Sequence, residues 1–172
     1  SYQLTEYSSY THVKLYNQAD DESVTFRIVY KLPQLATAWA DTGELYWKFV
    51  SDGWDEPSND VACTIHLPVP SGQTVEAGDN VRAWGHGTLD GTVSFDGDDV
   101  VFTVPCVGTD DYAEARITFP VSWLTETPSS EKRLDAILSE EQQWADEANA
   151  RREALRGQQT GLGVALAGVG AG

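Results

Sequence analysis

Ala113-Glu114-Ala115-Arg116-Ile117-Thr118-Phe119 alternates apolar and polar residues without a break. In a strand, alternate residues share a face. Ala113, Ala115, Ile117 and Phe119 are therefore expected to point inward, and Glu114 and Arg116 outward as an oppositely charged pair. The same period recurs in about seven short segments before residue 120. His12 to Tyr16 alternates. Ser23 to Leu32 puts Val24, Phe26, Ile28, Tyr30 and Leu32 on one face, with Thr25, Arg27 and Lys31 on the other. Glu44 to Val50 sets Leu45, Trp47 and Phe49 against Glu44, Tyr46 and Lys48. Thr92 to Phe95 and Val100 to Val104 flank Asp96-Gly97-Asp98-Asp99, a hairpin signal.

One wet and one buried face per strand is the pattern of antiparallel sheets packed face to face. A parallel sheet would need helices between its strands, and no helical segment interrupts residues 10–120. The expected fold is all-β: an antiparallel, Ig-like β-sandwich over residues 1–128. Phe26, Ile28, Leu45, Trp47, Ile65, Phe102 and Ile117 are expected in one core.

The pattern changes after Pro128. Ser129 or Ser130 can cap a helix, with Glu131 in its first turn. Glu131 to Arg156 has no Gly or Pro, and Leu134, Ile137, Leu138, Trp144, Ala145, Ala148 and Leu155 fall near one stripe. Acids come early and arginines late, as the helix dipole favours. Gly157 is the expected C-cap. One long C-terminal α-helix over 129–157 should dock its stripe on the sandwich or pair with another copy. Residues 158–172 are a Gly/Ala-rich apolar tail. The uncharged stretch 161–172 reads either as a flexible tail or as the opening of a transmembrane span, which needs about 20 residues.

The chain has 172 residues, 41% hydrophobic and 22% charged, which excludes intrinsic disorder. Its net charge of −16 excludes the basic footprint of a nucleic-acid binder. Residues 1–129 hold 6 basic and 20 acidic side chains; residues 130–172 hold 5 and 7. This acidity is a solvated surface or a cation-steering one. A salty habitat would also fit, since only four residues are lysine. Methionine is absent even at position 1, so a processed or excised chain is expected, and no signal peptide is visible.

Cys63 shares its strand face with Val61, Ile65 and Leu67; Cys106 shares its face with Val100, Phe102 and Val104. Both thiols are expected inside, as buried free thiols or as an inter-strand disulfide. No CxxC pair suggests zinc. His12, His66 and His86 lie far apart and imply no metal site. Asp96-Gly97-Asp98-Asp99 lacks the EF-hand spacing and reads as a turn. Neither a GxSxG elbow nor a phosphate loop occurs, and no cofactor is implied.

The candidate ligand-binding residues are Trp39, Trp54, Trp84 and His86, read as lying in loops punctuated by glycine and aspartate. Loop aromatics either stack on sugars and peptide groups or plug the ends of a sandwich. Trp84-Gly85-His86-Gly87 is the strongest of these, since its glycines permit close backbone approach. Two functions stay open. One is a non-enzymatic module that binds a protein, peptide or glycan. The other is a cell-wall glycan hydrolase using a carboxylate pair such as Asp41 with Glu44 or Asp52 with Asp55.

Several separated motifs carry a family likeness. They are Asp41-Thr42-Gly43-Glu44-Leu45-Tyr46-Trp47-Lys48-Phe49, Gly53-Trp54-Asp55, Val61 to Pro68, Val81 to Gly91, and Glu114-Ala115-Arg116 running to Trp123-Leu124. The helical stretch Ile137 to Arg152, with Glu140-Glu141 and Trp144-Ala145, adds to them. Together they resemble bacterial membrane proteins whose N-terminal region is domain-of-unknown-function family 2207. The resemblance implies an exported domain on the extracellular side, a C-terminal membrane anchor and a cytoplasmic remainder. It transfers architecture and location and no catalytic residues; the expected partner, an unidentified protein or cell-wall component, rests on the loop aromatics. Members usually begin with further strands, so a shortened N-terminus is expected. The two cysteines stand outside the family pattern. The implied compartment permits their oxidation, and a Cys63–Cys106 disulfide is expected on that ground.

Overall fold

The computed structural model describes residues 1–8 and 10–169, with side chains through residue 158. It contains three antiparallel sheets and one C-terminal helix, divided between two compact units, Ser1–Pro33 and Gln34–Gly172.

In the first unit β1 (Tyr2–Glu6) pairs with β2 (Thr11–Leu15), with Leu4 opposite Val13 and Tyr2 opposite Leu15. The Tyr7 N–H donates to the Tyr10 carbonyl at 2.9 Å and closes the turn. The expected strand from Ser23 to Leu32 does not form. Among the described residues no strand pairs with it, and Phe26 and Ile28 are 52% and 53% exposed instead of in the core. Alternation marks a segment able to present one apolar face. It supplies neither the hydrogen-bonding edge nor the layer that covers that face.

The second unit holds two sheets. β3 (Ala36–Ala38), β4 (Gly43–Val50), β6 (Arg82–Gly87) and β9 (Ala113–Phe119) form one, in the order β3-β4-β9-β6. β5 (Ser58–His66), β7 (Thr92–Asp96) and β8 (Asp99–Val107) form the other, in the order β5-β8-β7. The β7–β8 hairpin turns at Gly97, whose φ of +60° is the left-handed conformation such a turn needs.

Both sheets feed one apolar cluster: Ile65 from β5, Val100 and Phe102 from β8, and Ala115, Ile117 and Phe119 from β9. Val81 and Trp123 close it. Leu45 packs against it half-buried, and Trp47 is half-buried beside Phe49, ring centres 6.4 Å apart. The inward face of β9 is thus as its alternation requires.

The outward face is not. Arg116 is 2% exposed and Thr118 is buried with it. α1 (Leu134–Val169) supplies the cover, laying Ile137, Glu140 and Glu141 on that side. Before α1 begins, the chain is pinned to the β3–β4 turn. The Ser129 N–H donates to the Ala38 carbonyl and the Ala40 N–H to the Glu131 carbonyl. The helix cap is not Ser129 or Ser130. Asp41 Oδ1 accepts from the Arg133 and Leu134 N–H groups at 2.9 and 3.4 Å. Ser129 Oγ accepts only from the Glu131 N–H, one turn too early.

Gly157 does not end the helix, which continues to Val169. A glycine within a helix costs about 1 kcal/mol and stops it only where the backbone turns away. At 36 residues the helix is about 54 Å long. No helix of the described residues is long and apolar enough to cross a membrane. The tail expectation for 170–172 lies outside the described residues.

The cysteines are free. Cys63 stands opposite Phe102 and Cys106 opposite Asn59, four positions apart along the β5–β8 ladder. At about 3.4 Å per residue that is twice the reach of a disulfide. The expected bridge is therefore absent. Cys63 faces the core as expected, and its burial pushes the thiol pKa up. Cys106 is exposed because the inward phase of β8 slips at Pro105: Val104 and Val107 are both buried. Proline cannot donate to the ladder, and the facing Asp60 takes a φ of +51°.

Candidate functional site

The registers of β4, β9 and β6 define a polar grid beneath α1. Glu44, Tyr46 and Lys48 of β4 lie opposite Thr118, Arg116 and Glu114 of β9. Those in turn lie opposite Arg82, Trp84 and His86 of β6. Arg116 is the centre of the grid.

Its guanidinium is spent on three carboxylates. Nε donates to Glu44 Oε1 at 2.7 Å, and Nη1 to Glu140 Oε2 and Glu141 Oε1 at 2.9 and 3.0 Å. The aromatic rings of Tyr46 and Trp144 lie 5.1 and 5.8 Å from the guanidinium carbon. Burial works against the Arg116 charge, but the Glu140, Glu44 and Glu141 carboxylates outweigh it and hold its pKa up. Arg116 in turn holds the Glu140 carboxyl below the usual range, helped by Arg133. An isolated charge at this depth would cost several kcal/mol. Here one cation ties β4, β9 and α1 together.

His86 adjoins this network. Its Nε2 lies 2.9 Å from Glu141 Oε2, and its Nδ1 lies 3.9 Å from Glu114 Oε2. Trp144 and Tyr46 meet the imidazole edge-on, at 4.7 and 5.8 Å between centres. The Tyr46 hydroxyl donates to Glu114 at 2.9 Å. Burial together with that carboxylate pushes the phenol pKa up. Next to His86, Gly87 has a φ of +117°, and a Cβ there would fall 1.9 Å from the Tyr112 carbonyl oxygen. Only glycine lets β6 run this close to its neighbour.

The four expected ligand-binding residues do not gather in loops. Trp39 is half-buried; its Nε1 donates to Glu44 Oε2 at 2.7 Å, and Arg133 stacks 5.8 Å over its ring. Trp84 is in strand β6, not in a loop, half-buried opposite Arg116. His86 is in the same strand. Trp54 alone stands out, 59% exposed in the β4–β5 loop. Trp39 and His86 are thus joined through Glu44, Arg116 and Glu141, and Trp54 has no part in that chain of contacts. The carboxylate pair Asp41 and Glu44 is also committed, one to capping α1 and the other to Arg116 and Trp39.

The sequence reading missed the Arg116 centre. A signal for it existed: Arg116 is the one basic residue in an apolar strand of an acidic chain, and Glu140-Glu141 follows at the start of a helix.

The model of a protein family described as the N-terminal domain of predicted membrane proteins, DUF2207, matches residues 1–119. The chain belongs to this family. The DUF2207 match takes in β1 to β9 and ends on Phe119, the last residue of β9. Glu140, Glu141 and Trp144, the helix side of the Arg116 centre, follow the matched residues. No curated protein and no solved structure matches the chain.

Proposed function

We propose that this DUF2207 chain is the extracellular part of a membrane-anchored bacterial protein and acts as a non-enzymatic interaction module. Its ligand is a protein, a peptide or a glycan of the cell wall. The observation that carries the reading is Trp54, 59% exposed in the β4–β5 loop. Exposed aromatics beside polar groups stack on sugar rings and peptide planes. The buried charges of the same unit are spent on one another, with Arg116 satisfied by three carboxylates.

A core shared by the four-stranded and three-stranded sheets supports reading them as an Ig-like sandwich. The acidic surface suits export, and the family description supports membrane association. In this reading the membrane span begins near Gly161. Leu155, exposed on the far part of the helix, offers a contact for self-association.

The test has two arms. Purified chain is applied to glycan and peptide arrays and to isolated cell wall. Trp54→Ala should weaken capture about tenfold or more with the fold intact, as aromatic anchors do. Unchanged capture by this variant contradicts the module. In the second arm, external protease on intact cells should digest the domain; full protection contradicts the extracellular side.

A further inference from the structure

We propose that the cavity at the end of β6 is a hydration site, in which one ordered water joins His86, Thr88 and Glu114. Among the described residues, the buried side-chain polar atoms without a hydrogen-bond partner are His86 Nδ1, Thr88 Oγ1 and Thr118 Oγ1. His86 and Thr88 line one cavity of about 50 Å³, and Thr118 is not among its lining residues. A buried polar group left unpaired bears its full desolvation cost. Two such groups at one cavity point to a shared ligand that both donates and accepts.

The cavity lies where the two sheets of the second unit meet. Phe49 of β4 and Phe102 of β8 give it apolar walls; His86, Thr88 and Glu114 give it a polar side. That polar side does not close on itself. His86 Nε2 meets Glu141 Oε2 at 2.9 Å. A carboxylate only accepts, so Nε2 carries the proton, and Nδ1 of the neutral ring is an acceptor. Glu114 Oε2, 3.9 Å from Nδ1, is an acceptor too. The separation is too long for a direct hydrogen bond and suits a bridging water. Glu114 Oε2 accepts from the Tyr46 hydroxyl at 2.9 Å and keeps a lone pair for a second donor. Arg152 also lines the cavity. Its Nε and Nη2 donate to the Leu89 carbonyl and its Nη1 to Asn149 Oδ1.

A water fits both the space and the bonding. Its share of liquid volume is about 30 Å³, which the cavity accommodates. Its two O–H groups serve His86 Nδ1 and Glu114, and its oxygen accepts from the Thr88 hydroxyl. Three bonds are the usual complement of an internal water. The water thus ties the end of β6 to β9 through side chains that do not meet directly. The site belongs to the fold and stands whether or not the domain binds a ligand.

A high-resolution crystal structure of the full chain should show a water within about 3.2 Å of His86 Nδ1, Thr88 Oγ1 and a Glu114 carboxylate oxygen. Thr88→Val, which keeps the branched shape and removes the hydroxyl, gives a second readout by urea unfolding. Its folding equilibrium constant should fall about fivefold, the usual contribution of one hydrogen bond. An orphan hydroxyl predicts the opposite sign, because its removal relieves an unpaired buried group. An unchanged or raised folding constant in Thr88→Val overturns the site. So does a crystal structure that orders waters elsewhere in the interior and shows no density in this cavity.

Discussion

The Arg116 guanidinium meets the Glu141 carboxylate at 3.0 Å, with both side chains buried, and so joins the central strand β9 to α1. Removing one member of a buried pair leaves the other charge uncompensated, which costs about 3–5 kcal/mol. Arg116→Met strands both Glu44 and Glu141. It should lower unfolding stability by that amount in urea titrations. A loss below about 1 kcal/mol, the range of a surface pair, would contradict the buried network.

The helix cap is contributed by Asp41, 92 residues before Arg133 in the chain. Asp41→Ala should destabilise the protein by about 1 kcal/mol, the usual cost of a lost N-cap. Ser130→Ala should change stability by less than about 0.5 kcal/mol, as surface substitutions do. Thermal melts of the two variants check this, and a larger effect at Ser130 would return the cap to the serines.

Acid should loosen the helix. Glu140 has its pKa lowered by Arg116, with Arg133 adding to the effect. A carboxyl depressed on folding contributes stability above its unfolded pKa and loses it as pH falls through the folded one. The loss therefore belongs below the ordinary glutamate range, about pH 4.3. Glu140 is 39% exposed, so its own share is small. Glu140→Gln should flatten the acid limb of the stability curve slightly; a steeper limb contradicts the assignment.

How far the fold could be read from sequence depends on what alternation records. It names the residues that share a face, and Ala115, Ile117 and Phe119 are buried together for that reason. It does not name what covers the other face. Arg116 reads as solvated because α1, supplied by residues after 133, is invisible from within β9. Ser23 to Leu32 fails in the opposite sense: its apolar face is exposed. The helix itself was legible because Glu131 to Arg156 lacks breakers and carries a stripe. Its cap was not, because Asp41 reaches it through the tertiary fold. The glycines flanking Trp84 and His86 suggest a loop, yet Gly85 and Gly87 lie within β6.

The cysteines separate by access. In native protein a thiol reagent should label Cys106 readily and Cys63 slowly, since Cys106 is exposed while Cys63 packs on the core with its thiol pKa raised. Both should react after denaturation without reductant. Failure of both to react under those conditions would restore the disulfide.

The central claim is that α1 is held to the sheet through Arg116. A double-mutant cycle of Arg116→Met with Glu141→Gln, read by urea unfolding, tests it most directly. Coupling of about 1.5–3 kcal/mol is expected for side chains in one buried network. Additive losses, with coupling below about 0.5 kcal/mol, would show that α1 is not seated by this contact.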